Sequence, residues 1–299
     1  MLRLTLLHFN DLHGRLDALP RLFTLIQRER ATALADNRAA LILDGGDSSD
    51  PAQWESDLTQ GRANFALLEA MGVHATVIGD GEAQHWGRPA LAKLSASVHL
   101  PVLAANLVDC ADPSQLAAPG LKASTIIEAA GVKIGIIGVT AVYRGGYDRF
   151  GYQSSEPRPA LQREIERLKA QGLHVILLLS HLGSDFDFPD KDPRVYHDED
   201  AARDMPGLTA IIGAHTHTRL ERPVMVNAIP IVQAGEYGQY LGRLDLDIDP
   251  VTGRVITHAY QLFSTEGVPP DPTISATLEL VREEAARLPN ARTRALAVS

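Results

Sequence analysis

The 299-residue sequence contains a single cysteine, Cys110, so it cannot form an internal disulfide bond. A lone cysteine of this kind is most often a small packed side chain. The sequence also lacks an apolar run long enough to cross a bilayer, and no basic segment followed by an apolar run precedes the first predicted strand. These absences argue against a membrane-spanning protein, and we expect a cytoplasmic location unless a leader has been removed.

Positive charge is scarce as well. Lysine and arginine number 28 against 37 aspartate and glutamate residues, which gives a formal net charge of -9. This balance disfavours a nucleic-acid polymer or an anionic membrane as a partner. It does not exclude a small anionic substrate, because bound metal ions can reverse the local field. The composition does not indicate an oligomeric state.

Strand and helix patterns alternate along the chain, which predicts an α/β fold. The apolar residues Leu22, Phe23 and Ile26, for example, recur at helical spacing. We predict helices over residues 19–35, 63–71, 89–97, 156–171 and 273–288. We predict strands over residues 3–9, 40–43, 75–78, 102–105, 124–128, 133–139, 174–179, 209–212, 224–226, 229–233, 242–248 and 254–261. No linker divides the chain, so a single domain over residues 1–299 is expected.

Five of the predicted strands end in residues that can bind metal ions. Each alone would more often cap a helix or fill a turn, but the carboxyl ends of strands in an open α/β sheet line one crevice. Seven donors exceed the need of one ion, and two ions that share a bridging carboxylate would use them all. Mixed carboxylate and imidazole donors suit manganese, zinc, iron or cobalt better than magnesium or calcium. The seven are Asp11, His13, Asp47, Asp80, His181, His215 and His217.

The order of several motifs resembles the calcineurin-like metallophosphoesterases, and within them the catalytic domain of the 5′-nucleotidase and UDP-sugar hydrolase branch. The motifs are HFNDLHG, LDGGD, MGVHATVIGDGE, LAANL, LLSHLG, IIGAHTHT and VQAGEYGQYLGRL, spread over about residues 1–270. The resemblance implies a four-layer α/β/β/α sandwich with two mixed sheets. It also implies a dinuclear centre whose metal-activated hydroxide attacks a phosphoester.

By position in those motifs, the resemblance assigns the seven donors to two sites. Asp11, His13, Asp47 and His217 would hold one metal ion, and Asp47, Asp80, His181 and His215 would hold the other. Larger members of the branch carry a C-terminal domain that binds the nucleotide base, and we expect no such domain here. Substrate selection would then depend on loops or on a partner.

The third strand shows a departure from the family pattern. The usual Gly-Asn-His-Glu is replaced by Gly79-Asp80-Gly81-Glu82. Asp80 supplies a charged oxygen in place of a neutral one, which should tighten metal binding and weaken the attraction for an anionic phosphate. Gly81 removes an imidazole that the family uses near the leaving group, and general acid catalysis is typically worth about 10²–10⁴-fold in rate. His85 is the nearest replacement in the sequence, but a surface histidine is the favoured interpretation of this residue.

Other residues have a predicted supporting role. Arg144, in the loop Tyr143 to Tyr147, is a candidate substrate-binding residue, and the insertion from Phe186 to His197 carries further aromatic side chains that include Phe188. The alternative for both loops is a plain surface role. Glu82 and Asn106 match family positions and should orient loops. Asp44 is expected to accept a hydrogen bond from a metal-bound imidazole.

We therefore predict a dinuclear metal-dependent hydrolase of small anionic phosphoesters. Because Gly81 offers no acid, the favoured substrates should be activated esters, diesters or pyrophosphates. The main alternative is a catalytically degenerate metal-binding or interaction protein of the same fold. A third hypothesis is hydrolysis of a sulfur oxyanion ester.

Overall fold

A computed structural model describes residues 1–186 and 195–289 of the chain. The helices of the described residues are α1 (Leu19–Ala35), α2 (Trp54–Thr59), α3 (Arg62–Ala70), α4 (Asp80–His85), α5 (Arg88–Ala96), α6 (Pro157–Ala170), α7 (Asp198–Asp204) and α8 (Pro272–Ala286). The strands are β1 (Leu2–Phe9), β2 (Ala39–Asp44), β3 (Ala75–Val77), β4 (Val102–Leu103), β5 (Leu107–Asp109), β6 (Ser124–Ala129), β7 (Val132–Val139), β8 (Tyr152–Ser154), β9 (Val175–Ser180), β10 (Ala210–Gly213), β11 (Val224–Val226), β12 (Ile229–Val232), β13 (Tyr240–Ile248) and β14 (Val255–Ser264).

The strands form two large mixed sheets. The first has the order β14-β13-β1-β2-β3-β4, and the second has the order β11-β12-β10-β9-β7-β6. β1 to β4 run parallel, whereas β13 pairs antiparallel with β1 and with β14. In the second sheet β7, β9, β10 and β12 are parallel, and β6 and β11 close its edges as antiparallel strands.

The alternation of side chains along the strands explains why the two sheets and the helices form four layers. Successive side chains point to opposite faces of a sheet, so Leu4 and Leu6 of β1 pack into the core between the two sheets. Leu7 and Phe9 of the same strand face outward and pack with the helices α1, α3, α5 and α8. The outer face of the second sheet packs against α6 and α7 in the same way. The predicted α/β/β/α sandwich with two mixed sheets is therefore confirmed.

The five long predicted helices are confirmed to within two residues at either end. The short elements that were not predicted include α2, α4, β5 and β8. β5 and β8 pair as a small antiparallel sheet, and α4 begins at Asp80, where only a strand-end loop was expected. Phe188 and the last ten residues lie outside the described residues. Within the described residues, none of the helices has the length and apolar character needed to traverse a bilayer.

Candidate metal centre

The seven predicted donors meet at the carboxyl ends of the parallel strands of both sheets. Their ligand atoms form three groups, and within each group the atoms lie within 4.8 Å of one another. One group contains Asp47 together with Asp11 and His181. Because Asp11 also belongs to a second group and His181 to a third, this group connects the other two. The structure thus brings all seven side chains to one place, in an arrangement that two ions could share. The groups are Asp11–His13–His217, Asp80–His181–His215 and Asp11–Asp47–His181.

The backbone at these positions is unusual for residues other than glycine. Asp11, His13, Asp47, His215 and His217 have φ values of 51°, 44°, 49°, 74° and 56°. Such left-handed conformations cost free energy and cluster at functional sites, where the surrounding structure holds them. The turns after β1, β2 and β10 therefore carry backbone strain at five of the seven candidate donors.

Backbone hydrogen bonds between the loops after β1 and β2 hold these turns in place. The amide of Asp11 donates to Gly46 O at 2.9 Å, and the amide of His13 donates to Asp47 O at 2.8 Å. Asn10 connects the same loop to the segment after β12, because its Oδ1 accepts a hydrogen bond from the Ala234 amide at 2.9 Å. The sequence analysis did not single out Asn10, although it lies within the HFNDLHG motif.

In the first half of the centre, His13 and His217 face each other across Asp11. Their Nε2 atoms are 3.0 Å apart, and Nε2 of His217 lies 3.6 Å from Asp11 Oδ1. The other ring nitrogen of His217 lies 2.5 Å from Glu236 Oε2. A carboxylate on the far nitrogen fixes the orientation and tautomer of a metal-binding imidazole. Glu236 thus gives His217 the partner that such a ligand requires.

In the second half, His181 and His215 converge on Asp80. Nδ1 of His215 lies 2.9 Å from Asp80 Oδ1, and Nε2 of His181 lies 3.3 Å from the same oxygen. The far nitrogen of His181 is 2.8 Å from the carbonyl oxygen of Gly45. Nε2 of His181 is buried without a hydrogen-bond partner. A buried imidazole nitrogen without such a partner, aimed at three carboxylates, is the geometry that a metal ion would satisfy.

Asp47 lies between the two halves. Its Oδ2 is 3.7 Å from His13 Nε2 and 3.4 Å from His181 Nε2, while its Oδ1 accepts a hydrogen bond from the Gly81 amide at 2.7 Å. One oxygen of Asp47 therefore faces a histidine from each half. This position fits a bridging carboxylate.

The electrostatics of the centre reflect concentrated negative charge. Burial raises the pKa of Asp11 well above its usual range, and the neighbouring Asp47 acts in the same direction. Burial also acts to raise the pKa of Asp80, but the close contacts and charges of His181 and His215 outweigh it and hold that pKa well below the usual range. Buried carboxylates gathered in this way need a compensating cation. Both the donor set and its charge fit divalent metal ions.

Gly81 lies at the first turn of α4, directly against Asp47. A Cβ atom at this position would approach Asp47 Oδ1 to 2.9 Å and the Ser49 carbonyl oxygen to 3.3 Å. His85 ends the same helix four residues later, so it shares a helix face with Gly81. Burial lowers the pKa of His85, while the charges of Asp50, Asp47 and Asp80 oppose that shift. The role of His85 as a replacement acid stays a prediction.

Glu82 and Asn106 connect loops, as the sequence analysis expected. Glu82 is fully buried and accepts hydrogen bonds from the amides of Ser49 and Gly79, at 2.8 Å and 3.0 Å. Burial, reinforced by the charge of Asp47, raises its pKa to about 8. Asn106 exchanges two hydrogen bonds with the backbone of Thr140.

The prediction that Asp44 accepts a hydrogen bond from a metal-binding imidazole was wrong. Asp44 accepts hydrogen bonds from Ser48 and Thr76, at 2.7 Å and 2.5 Å, and thus stabilises the turn after β2. The far nitrogens of His181 and His217 face Gly45 O and Glu236 instead. A backbone carbonyl leaves no signature in a sequence, whereas Glu236 lies in the quoted motif VQAGEYGQYLGRL.

A cleft of about 420 Å³ opens beside His215. Arg144 and Glu156 lie at its edge and form an exposed ion pair at 2.9 Å. The ring of Tyr143 stands edge-on to the His215 ring, with centroids 6.3 Å apart. Arg144 is therefore next to the centre, and its role in substrate binding stays a prediction.

Comparison with known proteins matches this fold to a family. The family model described as calcineurin-like phosphoesterase matches residues 4–219. The chain belongs to the calcineurin-like phosphoesterase family. An uncharacterized metallophosphoesterase, YunD of Bacillus subtilis, is 30% identical over 251 residues, which cover 83% of this chain and 51% of YunD. A 5′-nucleotidase of Diplobatis ommata is 28% identical over 83% of this chain and 46% of its own length. The chain thus spans about half the length of these curated relatives.

Solved structures show the same fold. A 5′-nucleotidase precursor from Thermus thermophilus superposes with a TM-score of 0.74 at 23% identity, over 95% of this chain and 59% of its own. The calcineurin-like phosphoesterase YfkN from Bacillus subtilis gives a TM-score of 0.76 at 20% identity, over 95% of this chain and 98% of its own. The sequence-based assignment to this family and to its 5′-nucleotidase-related members is confirmed.

Proposed function

We propose that this protein is a dinuclear metal-dependent hydrolase of small phosphoesters. The observation that carries the proposal is the position of Asp47, whose Oδ2 faces His13 on one side and His181 on the other. Each half of the centre then offers a carboxylate and two imidazoles in addition to Asp47. Mixed donors of this kind suit manganese, zinc, iron or cobalt. The family membership and the 5′-nucleotidase relatives support a phosphoester substrate.

The roles of the residues follow from their contacts. Two divalent ions held by the seven side chains would activate a water molecule and neutralise charge on the phosphoryl group. Asp11, Asp47 and Asp80 offset the positive charge of the ions, and Glu236 keeps His217 in one orientation. No side chain extends from Gly81 to give a proton to the leaving oxygen. The protein should therefore favour leaving groups that need little protonation.

The test is a comparison of p-nitrophenyl phosphate with an alkyl phosphate in protein loaded with Mn²⁺. We expect the aryl ester to react faster by roughly the 10²–10⁴-fold that an acid usually supplies to the alkyl ester. Equal rates, or fast hydrolysis of nucleoside monophosphates, would show that another residue, such as His85, does the work of the acid. A His85→Gln variant would identify it.

A Gly81→His variant asks whether a restored imidazole helps the alkyl ester. A Cβ atom at position 81 presses on Asp47 Oδ1, so metal content must be measured in parallel and Gly81→Ala serves as the matched control. Metal binding without turnover of any phosphoester or sulfur oxyanion ester, and no gain from Gly81→His, would favour the degenerate metal-binding protein instead.

A further inference from the structure

The cleft beside His215 has the position of a leaving-group site. His215 belongs both to the lining of the cleft and to the second half of the centre. A phosphoryl group held at the centre would therefore have its organic substituent next to the cleft. The volume of about 420 Å³ falls within the range of small-molecule sites.

The walls of the cleft are mainly aromatic and aliphatic. Tyr143 and Tyr196 contribute rings, and Leu182 is a buried aliphatic side chain beneath them. Tyr143 is held from two sides, because its amide donates to Ser154 Oγ at 3.0 Å and its ring packs at 5.9 Å from the ring of Tyr147. It remains 40% exposed. Its ring therefore packs against the protein and is still accessible to a ligand.

The charge of the cleft distinguishes between possible ligands. Arg144 is the one lysine or arginine among the described residues that line it, and Glu156 compensates its charge. A second phosphate, as in a pyrophosphate, would meet no uncompensated cation among these described lining residues. A neutral aromatic group would instead find rings and aliphatic carbon, and offset or edge-to-face ring contacts are favourable.

We infer that this cleft binds an uncharged aromatic leaving group, so that the preferred substrates are phosphate monoesters of aromatic alcohols. This inference rests on the proposed function and narrows it. Of activated esters, diesters and pyrophosphates, it selects the activated esters. Tyr143 and Tyr196 would determine specificity by contact with the ring.

Ligand binding tests the inference independently of turnover. Calorimetric titration of the Mn²⁺-loaded protein would compare phenylphosphonate with methylphosphonate, which share a phosphonate and differ in the ring. We expect phenylphosphonate to bind at least about tenfold more tightly, and Tyr143→Leu or Tyr196→Leu to reduce that preference about 3- to 10-fold. Methylphosphonate affinity should change much less in both variants, because its methyl group offers an aromatic ring little surface to contact.

Tyr237 provides a matched control. Its ring contacts His13 and His217, in the half of the centre away from the cleft, so Tyr237→Leu should change both affinities by the same factor. Equal binding of the two phosphonates, or a preference that survives both cleft variants, would overturn the inference. A preference that follows the cleft variants in a protein that hydrolyses no ester would support the cleft and refute the proposed function.

Discussion

His8 and His181 are both fully buried, yet their surroundings shift their pKa values in opposite directions. His8 lies in β1, and burial alone lowers its pKa to about 3. Burial also acts to lower the pKa of His181, but the charges of Asp47 and Asp11 and the close contact with Asp80 outweigh it and raise that pKa well above the ordinary value. The interior between the sheets thus excludes positive charge, while the strand ends of the same sheets require it. The candidate metal centre is the place where the fold concentrates carboxylates that need a compensating cation.

Among the changes that test this contrast, removal of the shared carboxylate of Asp47 should have the largest effect, namely on the catalytic rate. Asp47→Ala takes away the oxygen between His13 and His181, so both halves of the centre lose a donor. Bound metal contributes several kcal/mol to the transition state, and a loss of about 4 kcal/mol corresponds to roughly 1000-fold in rate. Steady-state kinetics with p-nitrophenyl phosphate would measure it. Glu128→Ala, at an exposed carboxylate of β6, should leave the rate unchanged, and an Asp47→Ala protein with near-normal activity would contradict the assignment.

Removal of metal should destabilise the folded protein. A ligand present at a hundred times its dissociation constant adds about 2.7 kcal/mol to the free energy of unfolding, which corresponds to roughly 5–10 °C in Tm for a chain of this size. Thermal melts with Mn²⁺ and with a chelator would show the difference. The same shift in the Asp47→Ala variant would place the metal elsewhere.

The first half of the centre should depend on Glu236. Glu236→Gln replaces the carboxylate on His217 Nδ1 with an amide, and loss of such a partner typically weakens metal binding about 10- to 100-fold. Competition titration with a metal-binding dye would measure the two affinities. Glu221→Gln is the matched control, because Glu221 pairs with Arg219 at the surface. An unchanged affinity in Glu236→Gln would show that the contact with His217 is incidental.

The sequence alone allowed us to predict that the seven candidate donors lie together, because a simple rule places them. Asp11 follows β1, which runs parallel to β2, and His215 follows β10, which runs parallel to β9 and β12. The carboxyl ends of parallel strands share one edge of a sheet. The outward and inward faces of β1 likewise follow from alternation. Glu236 was missed because its contact with His217 depends on how two loops meet, and α4 was missed because six residues give little periodicity. The three-residue strands β5 and β8 were missed for the same reason.

The smallest of the expected effects concerns His8, the histidine in the core between the sheets, and is seen in the pH dependence of the free energy of unfolding. His8 binds no proton in the folded protein above about pH 3, whereas an unfolded chain protonates it below about pH 6.5. Stability therefore falls as pH falls through about 6.5, with a slope that approaches about 1.4 kcal/mol per pH unit until the folded pKa is reached. Neither ring nitrogen of His8 has a hydrogen-bond partner among the described residues that would offset this cost.

A His8→Leu variant should lose this dependence, because leucine fills the space between the sheets without a titratable group. Asp44 and Glu82, whose pKa values are raised to about 6 and about 8, change stability with the opposite sign, since the folded protein binds their protons more tightly. The comparison must therefore be the difference between wild type and variant in urea unfolding at about pH 7 and about pH 5. We expect that difference to move by about 2 kcal/mol in favour of the variant at the lower pH. For the control variant His258→Leu, at an exposed position of β14, the difference in the free energy of unfolding from wild type should be the same at both pH values. For His8→Leu, a difference that stays constant with pH would mean that His8 accepts a proton in the folded state, and the contrast with His181 would then be lost.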